Sequence, residues 1–221
     1  MTSEVGVAIE SAKRTFATAV DWPGWSRPGR TEEAALEALR AAARRYAAVA
    51  GAAGVAFSDP DSVTLAVVER AAGGAGTDFG VPSRVTDHDR RPATADDADR
   101  LARLVEAAWA TFDRVAATAP AELRKGPRGG GRDRAKIVAH VSEADHAYAR
   151  EIGLRLPPPA PDDERAVATM RRAILDVLRR PSDGTPLADR RWTARYAAHR
   201  IAWHALDHAW EIEDRSEPAA G

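Results

Sequence analysis

The chain has 221 residues, enough for one large domain or two small ones, and its 44% hydrophobic fraction fits a globular protein with a buried core. Its 32 basic and 33 acidic residues leave no bulk charge to attract nucleic acid or anionic lipid. It has no cysteine, which excludes disulfides, thiolate ligands and a cysteine nucleophile, so any metal site must draw on His, Asp or Glu.

Residues 4–10 and 13–20 read as a β-hairpin, with Val5, Val7 and Ile9 alternating in one strand and Phe16, Thr18 and Val20 in the other. The segment Asp21 to Arg30 carries two prolines and two glycines, which remove donors and favour turns, so it is expected to end the strand. Thr31 caps a helix that opens with Glu32 and Glu33 and buries Leu36, Leu39, Ala43 and Tyr46. A third strand spans Ser62 to Glu69. Residues 73–93 lack periodicity and read as a linker, in which Asp78, Asp87, His88 and Asp89 either approach a neighbouring site or lie in solvated turns.

From Thr94 onward the pattern is helical. One helix covers about 95–118 with Leu101, Leu104, Val105, Ala108 and Phe112 on one face; a second follows Asp133, its expected N-cap, with Ile137, Val138, Val141, Ala144, Tyr148 and Ile152. Pro157 to Pro159 interrupt before a third helix bearing Val167, Met170, Ile174, Val177 and Leu178. The fourth covers about 191–214. The predicted fold class is therefore α+β, a small N-terminal ββαβ unit (1–72) and a linker (73–93) packed on a four-helix bundle (94–216).

The fourth helix holds His199, His204 and His208 and the tryptophans Trp203 and Trp210, in a chain with six of each residue. His204 and His208 are four residues apart and so lie about 40° apart on one face, whereas His199 is rotated from His204 by roughly 140°. Ala197, Ile201, Ala205 and Ile212 share the histidine side; Trp203, Leu206 and Trp210 form a second apolar patch on the opposite side. A helix apolar on two sides is buried between two layers. Its tryptophan patch is therefore expected to meet the N-terminal unit, with Trp22 and Trp25 covering it.

A metal needs a third ligand, and His140 on the second bundle helix borders that helix's apolar stripe. Three imidazoles from two helices would leave a coordination position open for water or substrate. Glu143, Asp207 and Glu211 could fix the imidazole tautomers, Glu211 could itself ligate, and His199 is a weaker candidate ligand. A hydrogen-bonded histidine cluster that binds nothing is the competing reading. Arg128, Gly129, Gly130, Gly131 and Arg132, within a Gly-rich basic loop just before the helix of His140, offer backbone amides and cations to an anionic small-molecule substrate. The same loop reads equally as a solvated connection.

Lys136-Ile-Val-Ala-His140, followed by His204-Ala-Leu-Asp-His208 on the fourth helix, resembles the DinB-like superfamily, bacterial four-helix bundles that include mycothiol-dependent maleylpyruvate isomerases and bacillithiol transferases. The resemblance spans about residues 94–214. It implies a divalent metal, zinc or nickel foremost, on His140, His204 and His208, and a low-molecular-weight thiol as co-substrate. The stretch Phe16 to Glu37, in which a strand and a Pro-Gly turn lead into Thr31-Glu-Glu-Ala, is similar to a HicB-type antitoxin domain over about residues 4–70. No DNA-binding segment follows, so an inherited fold without the antitoxin role is implied.

Two functional classes follow: a metal-dependent thiol transferase or isomerase, and a non-enzymatic binding or regulatory protein with a structural histidine cluster. A homodimer is compatible with both. A cytoplasmic location is expected, because no apolar run approaches the roughly 20 residues of a bilayer span and the N-terminus lacks a signal-peptide pattern.

Overall fold

The computed structural model describes residues 4–125, 131–160 and 162–216 and has the expected α+β class. Strands β1 (Glu4–Ser11) and β2 (Thr15–Ala19) form the antiparallel hairpin, in register from Val7 opposite Ala19 to Ser11 opposite Thr15. The segment expected to be turn alone contributes a third strand, β3 (Ser26–Gly29), antiparallel to β2. Pro28 is tolerated because β3 is an edge strand with no further neighbour to receive its missing N–H. β4 (Thr64–Ala72) returns parallel to β1, giving the order β3-β2-β1-β4.

The helix after Thr31 is two helices, α1 (Glu32–Ala41) and α2 (Ala43–Ala52). They part at Ala42, whose N–H is shared between the carbonyls of Ala38 and Leu39, a tightened last turn. Thr31 caps α1 as expected, accepting from Ala34 N. Val5, Val7, Ile9, Ala17 and Ala19 join a core with Ala35, Leu39 and Tyr46. On the opposite face of the sheet β4 has no fully buried residue, and Phe16 of β2 meets Trp203 of the last helix.

That helix, α7 (Ala194–Ser216), packs with α4 (Ala95–Thr118), α5 (Arg134–Glu151) and α6 (Glu164–Leu178) as the helical part of the fold. Thr94 and Asp97 form a reciprocal capping box on α4. Asp133 precedes α5, but its carboxylate does not cap it; it takes Leu123 N at 3.3 Å and the Lys125 ammonium instead. Among the described residues no helix is long and apolar enough to cross a membrane.

The stretch expected to be a linker is pinned down. It carries a short helix, α3 (Ala75–Phe79), and a 3-10 turn at His88–Arg90. Glu10 accepts from Thr77 Oγ1, Ser83 N and Oγ, and Arg84 N, while Glu69 accepts from Asp87 N and His88 N. Asp89, expected in a solvated turn, is buried, and its carbonyl accepts from Thr193 Oγ1 just before α7. Long-range side-chain acceptors replace the missing hydrophobic periodicity, which is why no periodic signal marked this segment.

α7 meets the sheet through its tryptophan side, as its two-sided pattern predicts. Trp203 lies edge-on to Phe16 at 6.1 Å, and the Arg27 guanidinium sits 5.1 Å from the Trp210 ring. The ring partners of Trp22 and Trp25 are Tyr46 and Phe57, and Trp25 stacks on Tyr46 at 5.3 Å. The close approach to α7 comes from Gly24 between them. It has φ +90°, and a Cβ there would lie 2.7 Å from Leu206 Cδ1 and 3.0 Å from Ala202 Cβ. Gly24→Ala is expected to lower stability by about 2–4 kcal/mol, from left-handed backbone strain plus overpacking, read as a lower denaturant midpoint at unchanged slope.

Candidate metal centre

α5 and α7 bring His140, His204 and His208 together, and one ligand-capable atom from each lies within 4.8 Å of the others. His204 Nε2 is 3.2 Å from His140 Nε2, and the ring centroids are 4.6–5.1 Å apart. Metal–nitrogen distances of roughly 2.0–2.1 Å put neighbouring ligands of a tetrahedral ion about 3.3 Å apart, so the His140–His204 separation fits one edge of such a site. His204 and His208 are buried; His140 is half-buried and forms the solvent side.

The proposed supporting groups separate clearly. Glu211 Oε2 receives His208 Nδ1 at 2.8 Å, and its other oxygen receives Arg215 Nη1 at 2.7 Å. A proton on Nδ1 leaves the Nε2 lone pair of His208 free to ligate, the arrangement by which carboxylates orient metal-binding imidazoles. The His208 hydrogen bond is the main reason that the Glu211 carboxyl is held below its usual range. Asp207 turns to Arg27 at 3.2 Å, while burial pushes its carboxyl up. Glu143 is exposed and reaches His140 only through its charge. His199 stands apart from the cluster, its Nε2 3.0 Å from the Val20 carbonyl, and His146 Nε2 meets the Leu156 carbonyl at 2.8 Å.

Burial pushes the imidazole of His204 well below its ordinary range, assisted by the charges of His208, Arg200 and His140. His140 is lowered for the same first reason, then by His208 and Arg132. Both rings therefore stay neutral at neutral pH, the form that ligates. Of the proposed anion loop, Arg128, Gly129 and Gly130 lie outside the described residues. Arg132 is exposed, and its charge reaches both His140 and His204; Gly131, at φ +124°, abuts Arg215, the partner of Glu211.

Two neighbours of the site were absent from the sequence-derived list of candidates. The Tyr148 ring lies edge-on to His204 at 5.7 Å, and Arg200 sits over Tyr148 at 5.2 Å. Their signal was the spacing, since Arg200 is one turn before His204 and Tyr148 two turns after His140 on the same side of α5. No family model, curated protein or solved structure matches the chain.

A depressed histidine pKa fixes the direction of the pH dependence. Above the unfolded value of 6.5, His204 is neutral in both states and contributes no slope. As pH falls below it, the unfolded chain binds a proton that the folded protein refuses, and stability is lost until the folded pKa is reached. In metal-free protein, His204→Gln should flatten the stability profile below pH 6.5 by up to about 1.4 kcal/mol per pH unit, with His140 and His199 supplying the remaining histidine slope. Urea titrations across that range measure it.

Proposed function

We propose that the protein binds a divalent ion, zinc or nickel foremost, through His140, His204 and His208, and acts as a metal-dependent thiol transferase or isomerase of DinB-like type. The observation that carries the metal reading is the trio of imidazoles at ligand spacing, two held neutral by burial and the third oriented by Glu211. A bound ion at such a site polarises a water or thiol and lowers its pKa.

The surrounding residues supply the rest. Glu211, fixed by Arg215, holds the His208 tautomer. Arg132 adds positive charge on the exposed side, where an anionic substrate or thiol would approach half-buried His140. Tyr148 carries a hydroxyl whose pKa is raised by burial, so it remains a proton donor beside His204. The thiol itself rests on the order of the histidine-bearing helices and on the resemblance this creates.

The second reading, a binding or regulatory protein with a structural histidine cluster, is favoured by the same 3.2 Å contact, which also suits an N–H···N bond between His140 and His204.

Metal analysis separates the two. The purified protein should carry stoichiometric metal, His204→Ala should lose it, and His199→Ala should keep it. Glu211→Gln should weaken affinity by about 10–100-fold. Absence of metal after zinc or nickel loading at neutral pH would establish the structural cluster. For the thiol, adding a small thiol to the cobalt-substituted protein should produce a thiolate-to-metal absorption band; an unchanged spectrum removes the thiol from the proposal and leaves metal binding standing.

A further inference from the structure

The chain ahead of α5 meets the last turn of α7 at Arg215. Arg215 Nε donates to the Arg124 carbonyl at 2.8 Å, and the Arg124 N–H donates back to the Arg215 carbonyl at 3.0 Å. Arg124 Nη2 also reaches the Asp214 carbonyl, at 2.6 Å. Against the same guanidinium lies the Gly131 backbone, so close that a Cβ there would stand 2.6 Å from Nη2 and 2.9 Å from Cζ. Gly131 has φ +124°, in the left-handed region that favours glycine. Asp133, at the start of α5, takes Leu123 N and the Lys125 ammonium. Residues 123–125 therefore bridge the two helices that carry the histidine trio.

The third nitrogen of Arg215 faces the site. Its Nη1 donates to Glu211 Oε1 at 2.7 Å, and Glu211 Oε2 receives His208 Nδ1 at 2.8 Å. A guanidinium is planar and its donors keep a fixed relation to one another. Fastening Nε to Arg124, with Gly131 seated over Nη2, thus also fixes where Nη1 points. The Arg215 side chain is only 14% exposed, which leaves it little room to pivot.

We propose that Arg124 and Gly131, acting through Arg215, are positioning residues for His208: they aim Glu211 at its ring, keep the proton on Nδ1 and so set the affinity of the site for metal. The effect on affinity rests on the metal reading above; the tautomer itself is a property of the metal-free chain.

Two readouts test this on the full chain. Imidazole nitrogen-15 NMR of the metal-free protein reports the His208 tautomer, and zinc titration against a competing chelator reports affinity. Gly131→Ala alters no charge, yet it should raise the Nε2-protonated fraction of His208 and weaken zinc by about 3–30-fold. Arg215→Gln tests the sign: removing a cation near the ion would by Coulomb forces alone strengthen zinc binding, whereas lost positioning weakens it. Gly80→Ala, which strains another left-handed glycine beside Arg14 in the β1–β2 turn, should change neither readout. In Glu211→Ala, adding Gly131→Ala should weaken zinc no further, because both act along one path. Where one of the Gly131 and Arg215 variants fails to fold, the other carries both readouts. An unaltered His208 tautomer in these variants would overturn the proposal, as would tighter zinc binding in Arg215→Gln or an equal cost of Gly131→Ala with and without Glu211. Failure of zinc to bind the unsubstituted protein would overturn the metal reading instead, and the tautomer readout would still decide the positioning role.

Discussion

Everything in this fold depends on α7 being buried on nearly every side. Sixteen of its 23 residues are buried, so the helix has no broad solvent face and works as a shared wall between sheet and bundle. The alanines at 197, 198, 202, 205 and 209 make this possible, because short side chains let α4, α5 and the Gly24 turn approach the helix axis closely. The apolar cores of the two parts are consequently continuous.

That burial also sets the chemistry. Charged imidazoles would be costly inside such a wall, so His204 and His199 are held neutral, each for desolvation first. Neutrality leaves lone pairs free on one side of the helix, where His140 from α5 completes a trio. On the other side it leaves His199 joined to the residue after β2, beside a small cavity that Trp203 also borders. Arg200 lies between these two regions, lowering His204 through its charge and bordering the cavity.

The strap of residues 73–93 shows a different way to order chain. Its few apolar side chains could not hold it, and instead Glu10 and Glu69 on the sheet collect its backbone N–H groups. Thr193 and Arg195 at the start of α7 then bond the carbonyls of Asp89, Arg91 and Pro92. Satisfying backbone polar groups with sheet carboxylates, Glu10 buried and Glu69 half-buried, fixes the strap across the sheet–α7 junction.

The sequence by itself determined the α+β class, the hairpin, the four long helices and the pairing of His204 with His208, because all of these follow from local periodicity and four-residue spacing. The two-sided burial of α7 was legible for the same reason. Strand β3 was not, since Pro28 is acceptable only at an edge and edge status is a property of the whole sheet. Nor could the strap be read, as its acceptors lie about 70 residues away at Glu10 and nearer at Glu69. Tertiary packing alone chose Glu211 over Asp207 as the support of His208, because Arg27 on β3 draws Asp207 to the sheet side. Helical spacing places a side chain on a face; which partner meets that face is decided by the distant chain packed against it.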